Sequence, residues 1–298
     1  MADIKLFNIH GDVMQYPSST VTLERELQVV IERNMTTFFG VRFLASEYST
    51  TDGGRMDSIG IDENNCPVIF EYKRLTNENV INQGLFYLNW LLDHKDSFKV
   101  LVIERLGMNA AEQIDWSMPR VVCIAGDFTK YDESAIKQMN RNISLLRYKK
   151  FGNDLLMFEQ LNENVVHPTV EASPNRTQRT GADKTFDEQL NGADEVVRVQ
   201  YANLCDYMHH LGDDVYENKL KLYVAFKKIK NFASVVMYKS RFLLYLHLDP
   251  ATVNYESGFS RDVSAIGHWG TGFVELNIRS VADFEKARPL IDRAYNEN

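Results

Sequence analysis

The sequence predicts an α/β protein: a mixed sheet flanked by helices, followed by a second, smaller α+β domain. Three observations carry this reading. The chain has 298 residues, 44% hydrophobic and 25% charged, which is about twice an ordinary domain and enough to bury two cores. Through its first half a helix pattern, three strand patterns, a second helix pattern and further strands succeed one another, an order that builds a sheet with helices on its faces. The stretch from Asn162 to Gly192 has few large apolar residues and no periodicity. It reads as a linker between a domain at 1–161 and another at 193–298.

In the first domain, Leu23, Leu27, Val30, Ile31 and Asn34 recur near helical spacing after a turn-rich stretch, predicting a helix over 23–38. Val41 to Tyr48, Arg55 to Ile61 and Pro67 to Lys73 are rich in β-branched and aromatic residues. Polar turn clusters separate them, so they read as strands. A longer helix is expected over 78–93. Phe98 to Glu104 and Arg120 to Ala125 read as buried strands and Glu133 to Arg141 as a helix. Ile143 to Tyr148 and Asp154 to Gln160 make a hairpin turning at Phe151-Gly-Asn153. In the second domain a helix over 193–211 precedes strands over 222–229, 233–238, 241–247 and 272–278, and a helix over 281–295 closes the chain.

Composition excludes several classes. No apolar run approaches the ~20 residues needed to cross a bilayer, and the N-terminal residues lack a basic region followed by an apolar stretch. The expectation is a cytoplasmic protein with no membrane partner. Cys66, Cys123 and Cys205 lie far apart with no CxxC pair, which argues against a thiolate zinc site or a disulfide framework and for core filling. The histidines, including adjacent His209 and His210, show no metal-binding spacing. A net charge of −8 speaks against coating nucleic acid non-specifically, since such binding rests on Lys and Arg displacing counterions. A local cleft in which carboxylates hold a metal remains compatible with it.

The informative stretch runs from Gly54 to Lys73. Alternation along a strand projects Glu71 and Lys73 from one face and Phe70 and Tyr72 from the other. Asp57 lies on the preceding strand, and the turn near Asp62 to Asn65 can fold it back against Glu71. Two carboxylates in one small site repel unless a proton or cation lies between them, and the pair suits a hard cation such as Mg²⁺ or Mn²⁺. An isolated E-x-K on a strand is commonly only a solvated face.

Asp57 followed by Glu71-Tyr72-Lys73 resembles the PD-(D/E)XK nuclease motif, although Met56 stands where the motif's name has proline. Gln83-Gly-Leu-Phe-Tyr87 is similar to the Q-x-x-x-Y motif of the RecB-like branch, and its i, i+4 spacing puts both polar groups on one helical face. Glu24-Arg-Glu-Leu27-Gln28 resembles the acidic first-helix signature of the NucS-like branch, with Glu24 fitting it better than Glu26. The likeness covers Leu23 to Glu104, with looser continuation to Leu161. It implies a restriction-endonuclease-like sheet and a Mg²⁺- or Mn²⁺-dependent deoxyribonuclease, an endonuclease. Asp57, Glu71, the Tyr72 carbonyl and Glu24 would hold the metal, with Lys73 at the attacking water and Gln83 and Tyr87 as positioning groups. Arg55 and Arg74 flank the site and are candidates for phosphate contact.

In the second domain Lys219, Lys221, Lys227, Lys228, Lys230, Lys239 and Arg241 are interleaved with Tyr223, Phe226, Phe232 and Tyr238, a composition compatible with a nucleic-acid surface. Lys227, Lys228 and Lys230 are its candidates for backbone contact. It is equally compatible with a core and protective edge lysines. Lys230-Asn-Phe-Ala233, Asp262-Val-Ser and Gly267-His-Trp-Gly270 resemble an uncharacterised module found behind such nuclease domains, which implies a recognition or homo-oligomerisation role. Two rival functions stay open: an assembly or nucleic-acid-binding protein without turnover, and a small-ligand sensor.

Overall fold

The computed structural model describes residues 4–21, 24–74, 79–164 and 184–298. The chain divides into two units, residues 1–166 and 167–298. Most of the expected linker, 165–183, lies outside the described residues.

The first unit opens with an antiparallel pair, β1 (Leu6–Asn8) and β2 (Met14–Tyr16), too short to show a period in the sequence. β3 (Ser18–Ser19) then joins the main sheet along its edge. The first expected helix forms as two, α1 (Glu24–Arg33) and α2 (Met35–Phe39). The Asn34 side chain between them donates to the Val30 carbonyl, and Gly40 ends α2 with φ of 63°, a left-handed cap that glycine adopts without a Cβ clash. β4 (Val41–Ser49), β5 (Arg55–Asp62) and β6 (Pro67–Lys73) follow as an antiparallel meander.

Three helices, α3 (Val80–Asp93), α4 (Lys95–Leu106) and α5 (Met108–Glu112), carry the chain to β7 (Arg120–Ala125), which lies parallel to β6. Phe98 to Glu104, expected as a strand, therefore belongs to α4. Phe98, Leu101 and Val102 are its buried residues, an i, i+3, i+4 face that packs into the core below α3. α6 (Lys130–Ile136) starts earlier than the expected 133–141 because Thr129 and Asp132 form a capping box. β8 (Asn142–Phe151) runs parallel to β7, and β9 (Leu155–Asn164) returns beside it as the expected hairpin. The sheet order is β3-β8-β7-β6-β5-β4, with β9 paired to β8. It is mixed and flanked by helices, as the sequence predicts. One face buries Ile59, Ile69, Val121 and Cys123 against Leu88 and Leu91 of α3. On the other, Phe39 of α2 packs on Phe70 at 5.4 Å between ring centres.

The β5–β6 turn is built around a buried ion pair. Asp62 is paired with Arg120, and its Oδ1 accepts from the backbone N–H groups of Asn64 and Cys66, both at 2.9 Å. Burying a carboxylate is tolerated only with this degree of pairing and hydrogen bonding.

In the second unit, α7 (Phe186–Asn191) corrects the end of the expected linker. Thr185 and Glu188 form a capping box, and Phe186 is 1% exposed within the core. α8 (Glu195–His210) precedes β10 (Tyr216–Lys219), β11 (Val224–Lys227), β12 (Asn231–Met237), β13 (Phe242–Leu246), β14 (Ser260–Asp262) and β15 (Val274–Ile278), and α9 (Val281–Glu297) closes the chain. The sheet is antiparallel throughout, in the order β10-β11-β12-β13-β15-β14. Leu204 and Met208 of α8 and Ala287 and Ile291 of α9 share one core with Val235, Leu244 and Leu276. A smaller cluster of Val236, Leu243, Tyr245 and Val263 forms apart from it. The three cysteines are free thiols, two of them buried. Among the described residues no helix is long and apolar enough to cross a membrane.

Candidate functional site

The β5–β6 ladder brings Asp57 and Glu71 together. Ser58 stands opposite Phe70, so one step further sets Asp57 against Glu71. The Asp57 backbone N–H donates to Glu71 Oε1 at 3.3 Å, and the Tyr72 N–H donates to Asp57 Oδ2 at 2.9 Å. Glu71 is only 2% exposed and Asp57 is half-buried. Burial, then the charge of Asp57, pushes Glu71 up to about 9, and burial raises Asp57 as well, against the Tyr72 N–H and the nearby Lys73 charge. Without a cation the pair therefore holds a proton near neutrality. Lys73, two residues beyond Glu71 on β6, is half-buried.

A third carboxylate stands in the same row. Ser46 lies opposite Ser58 and Tyr48 opposite Met56, which sets Glu47 against Asp57. Glu47 has φ of 53°, a left-handed backbone that costs a non-glycine residue about 1–3 kcal/mol and persists only where its surroundings impose it. Its oxygens pair with Arg25 at 3.3 Å and Arg55 at 2.6 Å. Gln28, 4% exposed, sits behind the row. Its Nε2 lies 2.8 Å from the Asp57 carbonyl, 2.9 Å from Glu32, 3.1 Å from Ser46 and 3.3 Å from Glu47. An amide nitrogen has two hydrogens to share among those four acceptors. Sequence reasoning missed the roles of both: Glu47 is not singled out, and Gln28 enters only as the last residue of the first-helix signature.

The remaining candidates are placed unevenly. Glu24 is exposed on α1. Its Oε1 accepts from the Arg74 backbone N–H at 3.1 Å, and its charge acts on Asp57. Glu26 is exposed too. Among the described residues no three His, Cys, Asp or Glu side chains gather as a metal-holding group, so the acidic centre is the Asp57–Glu71 pair. Tyr87, on α3, uses its hydroxyl to accept from the Arg55 backbone N–H at 3.1 Å, while Gln83 on the same helix is exposed. Arg74 is exposed and Arg55 is held by Glu47.

The three candidate lysines of the second unit differ in exposure and partners. Lys227 is 3% exposed, which removes it from contact with a phosphate backbone. Lys228 lies 4.3 Å from the Tyr295 ring centre and donates to that residue's carbonyl. Lys230 is half-buried near His247.

Comparison with known proteins gives three findings. A family model described as a domain of unknown function, DUF5655, matches residues 186–298. An uncharacterized protein of Haemophilus influenzae is 28% identical over 295 residues, covering 96% of this chain and 97% of the relative. Among solved structures, a repair endonuclease from Pyrococcus abyssi aligns at a TM-score of 0.29 and 18% identity, covering 43% of this chain and 48% of that one. An EndoMS–dsDNA complex aligns at a TM-score of 0.27 and 19% identity, covering 43% and 46%. This chain thus spans less than half the length of either structure.

Proposed function

We propose that the first unit is a metal-dependent nuclease that hydrolyses phosphodiester bonds in DNA. The observation that supports this most is the contact between Asp57 and Glu71 on adjacent strands, with Lys73 on the same strand as Glu71. The donor set fits a hard divalent cation: two carboxyl groups in contact repel once ionised unless a cation lies between them, and the pair offers oxygen ligands only. Asp57, Glu71 and the Tyr72 carbonyl would hold Mg²⁺ or Mn²⁺, with Glu24 at the border. When bound, such a cation supplies Lewis-acid polarisation of a phosphoryl oxygen and lowers the acidity barrier of water.

The chain's own residues supply the rest. Lys73 presents an ammonium beside the carboxylates, where it orients the attacking water and stabilises charge that develops on the phosphate. The Tyr72 N–H holds Asp57 in one rotamer. Gln28 and the Tyr87 hydroxyl fix β5 on both sides of Asp57, through its carbonyl and through the Arg55 N–H. Arg74, exposed at the end of β6, is the candidate for contact with a phosphate. The test is incubation of purified protein with single-stranded, duplex and branched DNA in Mg²⁺, Mn²⁺ or EDTA. Cleavage that needs the cation and disappears in Asp57→Asn is expected. No cleavage of any substrate in either metal overturns the catalytic reading and leaves a binding protein on this sheet.

A further inference from the structure

In the second unit an arginine-lined pocket lies at one end of the β13–β15 ladder. Phe242 stands opposite Ile278 and Leu243 opposite Asn277, so the next step places Arg241 against Arg279. Both line a cavity of about 440 Å³, together with Arg261, Ser260, Glu275 and Asn277. Two like charges directly across a ladder are destabilising unless something of opposite sign offsets them. Glu275 does not: it is engaged by Arg261 in a two-bond pair, Nε at 2.6 Å and NH2 at 2.8 Å. Among the described residues no carboxylate pairs with the guanidinium of Arg241 or Arg279; the Arg279 backbone N–H donates to Asp283 Oδ2 at 3.1 Å, and Arg241 lies over the Tyr238 ring at 5.5 Å.

The pocket therefore keeps two uncompensated guanidinium groups on one cavity. Planar forks of this kind match the oxygens of a phosphate bidentately. The volume is in the range of small-molecule sites and well above what an inorganic anion fills. Asn277 also lines the cavity, held in place by its Nδ2, which donates to the Gly258 carbonyl at 3.2 Å. We propose that this pocket binds the phosphate of a nucleotide, either a free 5′-mononucleotide or a unit of a nucleic-acid strand.

Calorimetric titration of the full chain with inorganic phosphate, adenosine, adenosine 5′-monophosphate and a single-stranded 12-mer tests this. The monophosphate should bind more tightly than phosphate, and adenosine should not bind. Arg241→Gln with Arg279→Gln should weaken the monophosphate about tenfold or more, the loss of one to two charge-assisted hydrogen bonds. Arg279→Gln alone, at an exposed position, should weaken it by a factor of several should the double variant fold poorly. Binding of the 12-mer but not the monophosphate, lost in the same variants, assigns the phosphate to a strand. Equal binding of both ligands by wild type and variants, or no binding by wild type, overturns the proposal. All titrations are run in EDTA, where no metal-dependent cleavage takes place, which keeps this outcome separate from that of the nuclease reading.

Discussion

The Nε2 of Gln28 donates to the main-chain oxygen of Asp57 at 2.8 Å, tying helix α1 to the strand that carries one member of the acidic pair. Gln28→Ala removes that donor and leaves the Asp57 carbonyl and Ser46 with fewer partners in a buried setting. A loss of about 1–3 kcal/mol is expected. Urea unfolding followed by circular dichroism measures it. An unchanged midpoint would mean that water replaces the amide at no cost.

Glu71 offers a pH test with a definite sign. In the folded chain it keeps its proton up to about pH 9, against an ordinary value of 4.5. The folded state thus binds more protons than the unfolded one between those limits, and stability falls as pH rises through that window. Glu71→Gln abolishes the dependence. In EDTA at pH 8 the variant should melt higher than wild type, by about 2–4 °C for each kcal/mol relieved, and at pH 4 the two should coincide. Calorimetric melts showing the same difference at both pH values would place the effect elsewhere.

Lys73→Ala should lower DNA cleavage about 100-fold or more, the usual scale for losing a charged transition-state donor, with an unchanged melting temperature because the side chain is only half-buried. Single-turnover cleavage in Mn²⁺ reads the first quantity. A variant that cuts like wild type would remove Lys73 from the chemistry.

The strands around this site are legible because their β-branched and aromatic runs are bounded by polar turns, and the Asp57, Glu71, Lys73 spacing is visible along them. The helix α4 was not. Val100, Val102 and Ile103 favour a strand locally, but Phe98, Leu101 and Val102 on one helical face find a core against α3, and tertiary burial outweighs local preference. Glu47 and Gln28 were invisible for another reason. Their roles depend on which polar groups lie across the ladder from them, and the register is not written in either segment. The charge-rich 219–241 region misleads in the opposite way: Lys227 ends a strand and is buried, while Lys221, Lys228, Lys230 and Lys239 lie in the connections between strands.

The boundary of the second unit can be tested by fragments. Among the described residues its core draws on those from Phe186 onward, so 184–298 expressed alone should fold. The fragment 193–298 lacks Phe186 and should be less stable by about 3–5 kcal/mol, the range for deleting a buried phenylalanine. Denaturant curves of the two fragments compare them directly. Equal stability would return 184–192 to the linker.

Asp57 and Glu71 are separated by 14 residues and joined through a turn that the Asp62 carboxylate braces by accepting from the Asn64 and Cys66 N–H groups. Their meeting needs only a short loop to close. The parallel neighbour β7, by contrast, must wait for three helices to be threaded past the sheet. Short-range pairs form sooner than long-range ones because less chain entropy is lost before contact is made. The two acids consequently come face to face early in folding, within a hairpin that is still open to solvent.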